Sequence, residues 1–96
     1  MVPVAEIDYI VASGVYAELN VGGQRHLVRT SLNTLEAQLD RDEFFRIHRA
    51  VIVGLDQMEL LIREGGGNCR VQLRTGDKLP VGRSRREELE TRLGRI

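Results

Sequence analysis

The chain holds a single cysteine, Cys69, so no intrachain disulfide can form and no cysteine-based metal site can be assembled. That usage fits a reducing compartment and makes the cytoplasm the expected location. No apolar run approaches the ~20 residues that a membrane helix requires, and the N-terminus lacks the charged-then-apolar order of a signal peptide. The chain therefore has the character of a soluble protein. Internal repeats and low-complexity segments are also missing. Neither sign of charge is in excess: 14 basic side chains stand against 14 acidic ones, whereas nucleic-acid binders usually carry a basic footprint.

The distribution of charge is less even than its total. Residues 1–40 carry two basic side chains, Arg25 and Arg29, against five acidic ones, and residues 41–96 carry twelve against nine, so the halves differ as −3 and +3. Lys78 is the only lysine, and every other basic residue is arginine, whose planar fork donates two parallel hydrogen bonds. With 42% hydrophobic residues, 96 residues suffice for one compact domain over 1–96, near the lower size at which a core forms without disulfides or metals.

The local pattern is that of short strands. Residues 5–12 are rich in β-branched side chains, and Ile7, Tyr9 and Val11 fall on one face at period two. Ser13-Gly14 breaks this run. A second run from Tyr16 to Val21 and a third from Gln24 to Arg29 flank Gly22-Gly23, which predicts a hairpin because glycine tolerates the positive φ angles of tight primed turns. Thr30 or Ser31 can cap a helix whose Leu32, Leu35 and Leu39 recur at helical spacing. Strands are predicted for 51–53, 58–63, 69–74 and 78–81, with Val71 and Leu73 inward and a flexible turn over residues 65–68. Ser84 and Glu87 have the spacing of a capping box, which predicts a last helix with Leu89 and Leu93 on one face and Gly94 at its end. The predicted class is mainly β: small antiparallel sheets, sandwiched or stacked, with two short helices.

No catalytic constellation stands out. His48 has no cysteine or carboxylate partner at a ligand spacing, which leaves it a packing or hydrogen-bonding role, and His26 is most simply a solvated strand residue. Cys69 has the character of a half-buried core thiol. Gly65-Gly66-Gly67 lacks a following Lys-Ser/Thr and a helix, so it is not a phosphate loop. Arg86 beside Glu87-Glu88 belongs to a self-compensating solvated face. No enzyme activity, metal, cofactor, small-molecule substrate or membrane partner is expected.

Three segments occur in a telling order: Ile7-Asp8-Tyr9-Ile10 with Ser13-Gly14-Val15-Tyr16, then Phe45-Arg46-Ile47-His48-Arg49-Ala50-Val51-Ile52-Val53, then Leu79-Pro80-Val81-Gly82-Arg83. In this the chain resembles the LytTR domain, the DNA-binding output module of LytR/AlgR-type response regulators, over about Val4 to Leu93. The resemblance implies an elongated fold of about ten strands whose loops enter successive major grooves on one face of double-stranded DNA. It places the readers at the loop around Ser13, Gly14 and Tyr16, at Arg49 and at Arg83, with Arg46 and Arg85 beside them for phosphate contacts. It also implies two copies on promoter direct repeats, and a receiver or other sensory domain preceding this one in a longer two-component regulator. Gly54 stands where the family usually has Asn, and Ala50 and Gly82 where Ser is common. The alternative function is a free-standing LytTR-like module that binds protein and antagonises a regulator.

Overall fold

The computed structural model describes residues 3–93. Eight strands and two helices follow in the order β1 (Tyr9–Ser13), β2 (Tyr16–Val21), β3 (Gln24–Val28), α1 (Leu32–Gln38), β4 (Phe44–His48), β5 (Val51–Gly54), β6 (Met58–Arg63), β7 (Cys69–Leu73), β8 (Lys78–Val81) and α2 (Arg86–Arg92). They form two antiparallel sheets, one ordered β3, β2, β1, β5, β4 and the other β6, β7, β8. The molecule measures 37 × 23 × 22 Å.

The tight turns follow from glycine. Gly22 and Gly23 have φ of 55° and 85°, as a primed turn between β2 and β3 requires, and Gly14 at 61° opens the turn between β1 and β2. Ser31 caps α1, its Oγ accepting the Thr34 amide at 3.1 Å.

Two cores lie on opposite faces of the five-stranded sheet. One face meets α1 through Ile10, Ala17, Leu19, Ile52, Phe44 and Leu32. The other meets the three-stranded sheet and α2 through Phe45, Ile47, Val51, Val53, Val71, Leu73 and Leu89. Because β5 is covered on both sides, all four of its residues are buried, which is why its sequence is apolar without alternation.

One irregularity organises the rest. Between Arg46 and His48 the pairing of β4 with β5 shifts by one residue, a β-bulge at Ile47. The Ile47 side chain is fully buried, while its carbonyl leaves the ladder and accepts the Gly82 amide at 2.7 Å. The second sheet is thereby fastened to the edge of the first.

Several sequence expectations change. The strand expected over 5–12 begins only at Tyr9, because Val4–Glu6 form a turn of 3-10 helix after Pro3. Ile10, opposite the expected face, is the fully buried residue of β1, and Tyr9 packs between the sheets; a central strand with both faces covered has no single inward face. The Ser84 capping box does not form. The chain enters α2 through 3-10 residues Arg83–Arg85, which contain Ser84, and the helix has no side-chain cap. Leu89 is fully buried but Leu93, just past the last turn, is 40% exposed. Gly94 lies outside the described residues. Among the described residues there are eight strands where the resemblance implied about ten.

Candidate nucleic-acid interface

Adjacent hairpins bring two of the expected contact regions together. Ser13 pairs with Tyr16, so Gly14 and Val15 form the two-residue loop of the first hairpin. His48 pairs with Val51, so Arg49 and Ala50 form that of another. Strand β1 pairs directly with β5, Val11 facing Val51, and the Ala12 amide donates to the Ala50 carbonyl at 2.9 Å. Both loops therefore leave the same end of the same sheet, separated by two strand spacings or about 10 Å. Ser13, Gly14, Val15, Tyr16 and Arg49 are all exposed. The Arg49 guanidinium has no hydrogen-bond or ion-pair partner among the described residues, and so is free to bind an external acceptor.

The loop beneath Arg49 is braced on two sides. The Ala50 amide donates to His48 Nδ1 at 3.1 Å, which requires that nitrogen to be unprotonated and closes the turn. From below, the Arg46 guanidinium donates to the Arg49 carbonyl, to Asn33 Oδ1 and, at 3.0 Å, to Glu36 Oε1. The Arg46 side chain is only 11% exposed. Asn33 and Glu36 lie one turn apart on α1, and neither was singled out from sequence, because only the tertiary packing of α1 against β4 brings them to Arg46.

Arg83 continues the row on the far side of β4. It follows Gly82, whose amide is fastened to Ile47, and its guanidinium donates to the Gly66 carbonyl at 3.1 Å. The loop over Gly65–Gly67 reaches this place because Cys69 pairs with Val81. Arg86 donates to the Gly67 carbonyl at 3.3 Å. Arg85 is about one-third exposed and faces Glu36 Oε2 at 4.0 Å. Gly14, Tyr16, Ser31, Asn33, Arg46 and Arg49 border a shallow hollow of about 240 Å³.

The chemistry most available at this end is hydrogen-bond donation by arginine forks. No cluster of three or more His, Cys, Asp or Glu side chains able to hold a metal occurs among the described residues, nor is any described helix long and apolar enough to cross a membrane. Away from this end, burial, then the negative charges of Asp77 and Glu18, raise the Tyr9 hydroxyl above its ordinary 10.0, against the opposing Arg25.

A small β framework that carries exposed Arg49 and Arg83 on segments beside one edge strand defines a module suited to an anionic partner. The chain belongs to the family of LytTr DNA-binding domains, whose pattern it matches over residues 1–94. It is 33% identical over 84 residues to the CO-responsive transcriptional regulator RcoM of Rhodospirillum rubrum, covering 86% of this chain and 36% of that one. Against an uncharacterised response regulatory protein of Vibrio cholerae the identity is 34% over 88 residues, covering 88% and 33%. The chain thus spans about a third of the length of the curated relatives it matches. A solved LytTr DNA-binding domain of a response regulator from Bacillus cereus superposes with a TM-score of 0.88 at 24% identity, covering 97% of this chain and 85% of that one, and has the same fold.

Proposed function

We propose that this domain binds double-stranded DNA sequence-specifically through the major groove, as the cytoplasmic output module of a bacterial transcription regulator of the two-component type. The observation that carries the reading is the alignment of the loop of Ser13, Gly14 and Tyr16, the exposed fork of Arg49, and Arg83 at one end of the sheet. Arg49 and Arg83 read base edges, where a bidentate arginine on guanine O6 and N7 contributes roughly 1–3 kcal/mol of discrimination. Arg85 meets phosphate. Arg46 can do so only by leaving Asn33 and Glu36, so its first task is to hold Arg49. The 37 Å length of the molecule is comparable to one turn of B-DNA, about 34–36 Å, which suits contact with successive grooves on one face. Two copies would occupy direct repeats in a promoter, brought together by a sensory domain in a longer chain, and no catalytic step belongs to the domain itself.

Neutral net charge is compatible with this reading because the local field at the contact face governs binding. The test is the affinity for a selected duplex as salt is varied. With four to six phosphate contacts at about −0.9 each, log K against log salt should have a slope of roughly −4 to −5. A slope near zero would refute the reading.

A further inference from the structure

We propose that Glu36 is a specificity-determining positioning residue: its carboxylate holds Arg46 beneath the Arg49 loop and competes with DNA phosphate for both Arg46 and Arg85. The inference rests on the reading of Arg49 as a base-contacting residue. It starts from a junction between three elements. Glu36 Oε1 accepts from Arg46 at 3.0 Å, and its other oxygen, Oε2, lies 4.0 Å from Arg85. One carboxylate on α1 thus faces an arginine from β4 and another from the turn before α2. Asn33, one turn earlier on the helix, supplies a neutral acceptor to the same Arg46 nitrogen, and the other terminal nitrogen of Arg46 donates to the Arg49 carbonyl. Five donors in a fixed fork allow Arg46 to serve these partners at once, and the partners in turn fix the fork.

Two consequences follow for DNA. With Arg46 held, the backbone of the two-residue Arg49-Ala50 loop is fixed from below while His48 closes it from the side, so the backbone from which the Arg49 side chain projects is held in one place. With Arg46 and Arg85 both facing a carboxylate, fewer positive charges are free to neutralise phosphate on DNA of arbitrary sequence. Glu36 is 44% exposed in its side chain, so it lies near enough to solvent to repel a phosphate directly. Both effects favour discrimination over raw affinity, as expected for a repulsive element that lowers binding to wrong partners.

The test compares Glu36→Gln with the wild type on a selected duplex and a scrambled one, across a range of salt, with thermal unfolding measured in parallel. Loss of the carboxylate should raise affinity for scrambled DNA by about threefold. The salt slope on that DNA should steepen by up to about one unit for each arginine released, in full for the tightly held Arg46 and only in part for Arg85, which already reaches phosphate in the wild type. Looser presentation of Arg49 should lower the ratio of selected to scrambled affinity by about tenfold. Glu59→Gln removes the same charge from an exposed position of β6, and should shift both duplexes alike and keep the ratio. Asn33→Ala removes the neutral acceptor and should lower the ratio without changing the slope. A merely destabilising change would lower both affinities and the unfolding temperature, and would not raise binding to scrambled DNA. If Glu36→Gln keeps the wild-type ratio, or behaves as Glu59→Gln does, the inference is overturned. If instead the wild type itself prefers no sequence, the proposed function fails, a result already visible before any variant is made.

Discussion

The Gly82 amide donates to the Ile47 carbonyl at 2.7 Å, joining the segment that carries Arg83 to the strand that leads into the Arg49 loop. The bond exists because the bulge at Ile47 frees that carbonyl from the ladder between β4 and β5. It sets the spacing between two proposed base-reading side chains that lie 34 positions apart in sequence, and it crosses from one sheet to the other.

Breaking that bond should disturb the interface more than filling the space at Gly82. An added Cβ would have its nearest neighbours at 3.6–3.7 Å, ordinary contact distances, and the backbone there is extended with φ of −65°. Gly82→Ala should therefore keep stability within about 1 kcal/mol of wild type. Gly82→Pro suits the same φ but has no amide hydrogen, and should cost about 1–3 kcal/mol for the unpaired Ile47 carbonyl. Chemical denaturation measures both. Equal stability of the two variants would show that the bond does not matter.

Arg49→Ala and Arg83→Ala should each cost about 1–3 kcal/mol on a selected site and relax preference at one or two base pairs, with the fold retained. Arg85→Ala should weaken selected and scrambled DNA alike and flatten the salt slope by about one unit. Titration of a labelled duplex separates the two patterns. If the first two variants bound with unchanged affinity and motif, those side chains would not be the readers.

Tyr9 gives a prediction at alkaline pH. Its hydroxyl is raised by burial and by Asp77 and Glu18, so above the ordinary 10.0 the folded protein holds this proton more tightly than the unfolded chain does. The stabilisation from this group is complete below that value and is lost as pH rises through the folded one. Wild type should accordingly lose stability faster than Tyr9→Phe above about pH 10. Parallel denaturation curves in that range, with a constant difference between the two proteins, would remove Tyr9 from the account.

Local patterns carried much of the fold. The bounds of β2 follow from an alternating run between turn residues, the Gly22-Gly23 hairpin from glycine, and α1 from Ser31 with Leu32 and Leu35. Failures arise where tertiary packing overrides a local signal. Ser84 and Glu87 have the spacing of a capping box, yet the Gly82 bond to Ile47 and the 3-10 turn after it delay the helix to Arg86. Phe44–His48 has an apolar, charged and aromatic mixture that did not mark it as a strand, although edge pairing with β5 makes it one. At the interface, the motif residues Arg49 and Arg83 were visible, whereas Asn33 and Glu36 were not. Their part depends on α1 packing beside β4, and no spacing rule links position 36 to positions 46 and 85.

The most direct test of sequence-specific binding is selection from a random pool of double-stranded DNA with the folded domain, followed by sequencing of the bound fraction. The account predicts that a short motif is enriched, that joining two copies of the domain selects it as direct repeats, and that Arg49→Ala and Arg83→Ala blur different positions within it. Recovery of sequences no different from the starting pool, from protein shown to be folded, would contradict the account and favour a module that binds protein.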